Sequence, residues 1–115
     1  MTEATDMIVA ERKRQVTEEG FTAEHDDGHA DQLIRAAKCY AEAGRFLVRH
    51  PHPSVFAYRD APVDADTGEA YWPWHPSYWK PTGDPVRDLV KAGALIAAAI
   101  DSLISERDDS GREES

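Results

Sequence analysis

The sequence predicts an all-α fold, a compact domain of three to four helices with one long aromatic and proline-rich connection. Three observations carry that expectation. Apolar residues recur at three- and four-residue spacing in separate stretches, as they do on one face of a helix. Six of the seven prolines fall between His50 and Gly83, outside those stretches. Asp84-Pro85 then supplies an N-cap and a first-turn proline ahead of the most apolar stretch.

A first helix is expected over Asp6–Glu19, with Thr5 or Asp6 accepting the free N–H groups at its start. Ile8, Val9, Arg12 and Val16 trace a narrow stripe, Gly20 suits a left-handed cap, and Phe21 offers an anchor beyond it. Glu11 and Gln15 lie one turn apart, as do Arg14 and Glu18, and read as a solvated face.

A second helix is expected over Gly28–Ala43, with Leu33, Ala36, Ala37, Tyr40 and Ala41 on one face. Gly44 marks a break, Phe46 to Val48 offer one further turn, and Pro51 and Pro53 end the element. Cys39 falls in the apolar pattern as a small buried hydrophobe; a single cysteine excludes an internal disulfide and an all-cysteine zinc site.

Residues 50–83 form the connection, where DADTG reads as a turn. A short β-hairpin pairing VFAYRD with EAYWPW is an alternative for this segment, confined to an edge by the prolines of its second run. The third helix, Pro85–Ile104, carries Leu89, Ala92, Ile96, Ala99, Ile100 and Leu103 on one stripe. Val90, Ala94, Leu95, Ala97 and Ala98 widen that stripe nearly to the full circumference. A helix so apolar must be enclosed, which predicts a homo-oligomer formed through helix 85–104. Residues 1–6 read as a flexible N-terminus, 7–104 as the single domain, and 105–115 as a disordered acidic tail.

At 115 residues, one domain with a radius of gyration of roughly 13 Å is expected. The net charge of -9 disfavours general DNA binding, because phosphate-backbone affinity relies on Lys and Arg. The longest apolar run, Ala92–Ile100, is well short of the ~20 residues that cross a bilayer. With no signal-peptide pattern at the start, a soluble cytoplasmic protein is the expectation.

Two stretches carry candidate chemistry. His25, Asp26, Asp27 and His29 crowd together in EGFTAEHDDGHA. Residues four apart share a helix face, so His25 and His29 with Asp26 have the ligand types for a divalent ion such as Mg, Mn or Zn. The plainer reading is that Asp26 or Asp27 caps the second helix. The second stretch, YWPWHPSYWKP at Tyr71–Pro81, holds three tryptophans. Trp72 and Trp74 are expected to fill core, while Trp74, Tyr78 or Trp79 offers a ring on which a planar ligand stacks. Lys80, Arg87 and Lys91 follow at once, and with the N-terminus of the third helix they form a candidate anion site; pairing with Asp84 and Asp88 is the alternative.

ERKRQ at Glu11–Gln15, EGFTAEHDDGH at Glu19–His29, AAKCYA at Ala36–Ala41, WPW at Trp72–Trp74, WKP at Trp79–Pro81 and DLVKAGALI at Asp88–Ile96 together resemble a family of small phage and prophage proteins. The resemblance spans most of residues 8–104 and implies a phage setting, hence a host cytoplasm, without assigning catalysis. Phe21 and the Ala98-Ala99 region depart from it, where members carry tryptophan and a glutamate. GFTAEHDD is also similar to the GW…DD pattern of ryanodine-receptor-type repeat domains. The carboxylates of the first two helices resemble those of all-α nucleotide pyrophosphohydrolases, although the first helix lacks their ExxE.

Three functions fit these readings. The first is a binding module for a small anionic, nucleotide-like ligand that touches His25, Asp26, Asp27, His29, Trp74, Trp79, Lys80, Arg87 and Lys91. The second is a metal-dependent nucleotide phosphohydrolase with His25, Asp26, Asp27 and His29 around the ion and Glu11 or Glu18 guiding water. The third is a structural or protein-interaction role without catalysis.

Overall fold

The computed structural model describes residues 2–19, 29–50, 61–62, 66–67 and 71–114, without the side chains of residue 19 and residues 108–114. Among them are three α-helices, one turn of 3-10 helix at Pro76–Tyr78, and no strand. The fold is all-α. The helices are α1 (Glu3–Glu19), α2 (Ala30–Arg49) and α3 (Pro85–Glu114). α3 is the axis: α2 packs along it, α1 also packs on it, and among the described residues α1 and α2 do not meet.

Small side chains close the α2–α3 seam. Ala36, Ala37 and Ala43 of α2 and Ala94, Ala98 and Ala99 of α3 are buried, with Leu33 and Leu95 among them. Alanines let the backbones approach, and each enclosed leucine contributes about 2 kcal/mol by leaving water. Gly44 does not break α2, contrary to expectation. A Cβ there would lie 2.9 Å from Leu89 Cγ, so Gly44 makes room for α3, and α2 runs on to Arg49. Its last turn closes with the His50 N–H donating to the Phe46 carbonyl at 2.9 Å.

α1 begins three residues earlier than expected, because Thr2 caps it. Thr2 Oγ1 accepts the Thr5 N–H at 3.3 Å, and the Thr2 carbonyl accepts the Asp6 N–H at 3.1 Å. α1 meets α3 at Gly93, where an added Cβ would lie 2.9 Å from Ile8 Cδ1. α3 continues past Ile104 to Glu114. Helix propagation adds one hydrogen bond per residue fixed, so a polar stretch can extend an existing helix without a core beneath it. That helix of 30 residues is ~45 Å long, and the radius of gyration is 15.5 Å, above the compact-globule expectation.

The connection reaches the core through its rings. Trp72 and Trp79 are buried against Tyr40 of α2, with ring centroids 5.6 and 4.7 Å away. The Trp72 indole N–H donates to the His75 carbonyl at 3.1 Å, satisfying the polar atom that burial would otherwise strand. Most of the suggested hairpin lies outside the described residues; within them, the Tyr71 N–H donates to the Pro62 carbonyl at 2.9 Å. Gly20, Phe21, Pro51 and Pro53 also lie outside. Asp84 caps α3 as expected, its Oδ1 accepting the Val86 N–H at 3.0 Å. Asp88, fully buried, accepts the Thr82 N–H and hydroxyl at 2.9 and 2.8 Å and so ties the end of the connection to α3.

Cys39 is buried, and burial pushes its thiol up to about 11 against the opposing pull of Arg35 and Lys38. Only the thiolate is nucleophilic, so at pH 8 native Cys39 is expected to alkylate about a hundredfold more slowly than the urea-unfolded chain. Iodoacetamide labelling followed by mass spectrometry checks this; equal rates would mean that the α2 seam opens freely.

Candidate functional site: an aromatic, cationic cleft

α1 is the least apolar helix, and its contact with the rest of the protein is largely polar. Glu11 and Gln15 are 2% and 3% exposed. Glu11 Oε1 accepts Arg14 Nε at 2.9 Å and Arg87 Nη2 at 2.6 Å; Oε2 accepts Arg14 Nη2 at 2.8 Å and Gln15 Nε2 at 3.5 Å. The expected solvated face is therefore an interface, because Arg87 of α3 reaches across to a carboxylate that needs a counter-charge to leave water. Arg87 pairs with neither Asp84 nor Asp88, its sequence neighbours.

Beside this cluster lies a cleft of about 590 Å³, within the range of small-molecule sites. One wall is aromatic: Tyr40, Trp72, Trp74 and Tyr78. Trp74 is half-buried and stands edge-on to Trp72 at 5.3 Å, with an interplanar angle of 89°. The other wall brings Arg14, Gln15 and Glu18 from α1 to Lys80 and Lys91. The Lys91 ammonium sits 5.4 Å over the Tyr40 ring and donates one hydrogen bond to the Lys80 carbonyl at 3.2 Å. The Lys80 N–H in turn donates to the Tyr40 hydroxyl at 3.1 Å. Tyr40 thus holds the Lys80 backbone and lies beneath the Lys91 ammonium. Burial lowers the pKa of Lys91, helped by the positive charges of Arg14 and Arg87 and opposed by Glu11 and Asp88. Among the described residues the cleft is lined by three cations and two carboxylates, the reverse of the whole chain's balance. Crowded, partly desolvated cations favour an anion between them.

The sequence-predicted residues divide accordingly. Trp74, Lys80 and Lys91 line the cleft. Trp79 is buried behind it in the core, and Arg87 is committed to Glu11. His25, Asp26 and Asp27 lie outside the described residues. His29 occupies the N-cap position of α2, where aspartate was expected; it is exposed and lines neither this cleft nor a shallower one beside Cys39. Glu11, expected as a water-guiding carboxylate, is bonded to Arg14 and Arg87. Among the described residues, no three His, Cys, Asp or Glu side chains gather as a metal site. Sequence reasoning missed Arg14, Gln15, Tyr40 and His75 as cleft residues. The available signal was the polar stripe Glu11-Arg14-Gln15-Glu18, at helical spacing on a helix with little apolar surface. Comparison with family models, with curated proteins and with solved structures finds no match to this chain.

Burial alone would raise the Glu11 carboxyl, but Arg14 and Arg87 outweigh it, so it titrates below its ordinary value of 4.5. The unfolded chain therefore takes up the proton first. The stability contributed by Glu11 is complete above that ordinary value and is lost as pH falls through the lower folded one. Glu11→Gln is expected to cost about 2–3 kcal/mol at pH 7, toward the low end for a buried pair because both arginines remain partly hydrated. In urea melts the gap from wild type should narrow below pH 4. A variant as stable as wild type at pH 7 would show that this ion cluster does not hold α1.

Proposed function

We propose that the protein is a binding module for a small anionic, nucleotide-like ligand held in the Trp74–Lys91 cleft. The observation that carries this reading is the meeting of the half-buried Trp74 indole with Lys91, whose ammonium lies over the Tyr40 ring, in one concavity of an otherwise acidic chain that Arg14 and Lys80 also line. The base would stack on Trp74, and phosphate would meet Lys80, two remaining donors of Lys91, and the outer edge of Arg14. A phage protein acting on a host nucleotide is the setting that the sequence resemblance favours. A metal-dependent phosphohydrolase has less support, since Glu11 is spent on arginines.

A thermal-shift screen against nucleoside monophosphates and cyclic dinucleotides tests this, because a ligand that prefers the folded state raises the melting temperature. At least one should do so. Trp74→Ala should weaken it five- to a hundredfold, the range that base stacking contributes, about 1–3 kcal/mol. Lys91→Met, which keeps the packed stem and removes a half-desolvated charge, should fold normally and bind about tenfold more weakly. No shift with any of these ligands, for protein of native circular dichroism, would reject the reading.

The reading includes self-association through α3. Ile96, Ile100, Leu103 and Ile104 each expose about half their surface on successive turns beyond the Ile8–Gly93 contact. Three- and four-residue spacing suits pairing with the same stripe of a second copy. Light scattering should give a mass above 12.8 kDa for the wild type and a monomer for Ile100→Lys. A monomeric wild type at 100 µM, on the order of ordinary assay concentrations, would remove this part of the proposal.

A further inference from the structure

We infer that Lys91 is a nucleophile that condenses with a planar, phosphate-bearing aldehyde in the Trp74–Lys91 cleft, forming an imine through Nζ. The inference rests on the cleft as a site for planar anions and adds covalent capture to it. It does not require the ligand to be a nucleotide.

The chain has four lysines. Lys13, Lys38 and Lys80 are exposed, whereas Lys91 is half-buried on the cleft wall. Its ammonium donates to the Lys80 carbonyl at 3.2 Å and lies 5.4 Å over the Tyr40 ring; among the described residues no carboxylate pairs with it. Glu11, which lines the same cleft, has both oxygens taken by Arg14 and Arg87. The carbonyl and the ring face fix where Nζ sits, while partial burial and two neighbouring guanidiniums disfavour its charge. Burial first, then Arg14 and Arg87, holds Lys91 below the ordinary lysine range in spite of Glu11 and Asp88. Desolvation and adjacent cations are the conditions that expose the neutral amine, the form that attacks a carbonyl carbon.

The step balances without a further reagent. The amine lone pair attacks the aldehyde carbon, and the aldehyde oxygen leaves as water with two of the three ammonium protons. The third proton stays on the imine nitrogen, and no oxidant or reductant is consumed. The ligand class follows from the neighbours. Trp74 offers a half-buried face to a ring, and Arg14 and Lys80 line the same cleft and favour a phosphate over a neutral substituent.

The test uses pyridoxal phosphate, a planar aldehyde bearing phosphate, as the probe on the full chain. Equimolar probe near neutral pH, borohydride reduction and peptide mass spectrometry read where the adduct forms. Lys91 should carry more label than Lys13, Lys38 and Lys80 together. That lead should narrow at about pH 10, where exposed lysines also deprotonate, and vanish in urea. Trp74→Ala of native circular dichroism should form about fivefold less Lys91 adduct, or lower still, through lost stacking. Equal label on the four lysines of native protein would overturn the inference, as would a lead that persists in urea or is no smaller at high pH. A Lys91 adduct undiminished in Trp74→Ala would also overturn it, because the reactivity would then owe nothing to the cleft. Nucleotide-induced thermal shifts without preferred Lys91 labelling would leave the binding reading standing and remove covalent capture. Preferred Lys91 labelling without any nucleotide shift would do the reverse.

Discussion

A single carboxylate decides how this protein is assembled. Glu11 is almost completely buried, and a charge in that position is tolerable only with counter-charges in contact. Arg14 comes from the same helix and Arg87 from α3. That second pairing joins two elements far apart in sequence, and with Ile8 against Gly93 it sets α1 on α3. Because α1 touches α3 and not α2 among the described residues, this polar contact also fixes one wall of the cleft. Arg12 and Asp101, 3.4 Å apart, add a second and more exposed tie of lesser worth.

The opposite wall depends on Tyr40, and the two walls obey different physics. Tyr40 contributes ring area to Trp72 and Trp79, a hydroxyl that accepts the Lys80 N–H, and a face beneath the Lys91 ammonium. Aromatic contacts are tolerant of small displacements, whereas the Glu11 cluster is not, since each of its bonds is directional and charged. The cleft thus joins an adaptable aromatic surface to a rigid polar one. The connection that supplies the rings is anchored at its far end by Asp88 and Thr82, so Lys80 enters the cleft from a restrained backbone.

How much of this was legible in the sequence differs by element. The all-α class and the three helices followed from apolar spacing, and Asp84-Pro85 marked the start of α3. Trp74, Lys80 and Lys91 stood out because aromatic rings and cations in an acidic chain are conspicuous. Gly44 misled, because a glycine that admits a neighbouring helix looks the same in sequence as one that ends its own. Position Thr2 misled for a similar reason: Thr5 and Asp6 are equally good caps, and only the backbone geometry selects among them. The buried role of Glu11 and Gln15 was hidden most deeply. Charged residues one turn apart almost always face water, and nothing in α1 indicates that Arg87, 76 positions away, will meet it.

That hidden stripe explains why α1 has its unusual composition. A helix selected only to cover α3 would do so more cheaply with leucine or alanine, since apolar replacement of buried ionic groups is often neutral or stabilising. Retaining glutamate, arginine and glutamine at a buried contact incurs desolvation and leaves the Gln15 amide oxygen without a partner among the described residues. Local choices that oppose stability are expected where a site needs them. Here Glu11 and Gln15 border the same cleft as the half-buried Trp74 indole and Lys91, so the contact that sets α1 on α3 also shapes the wall opposite the rings.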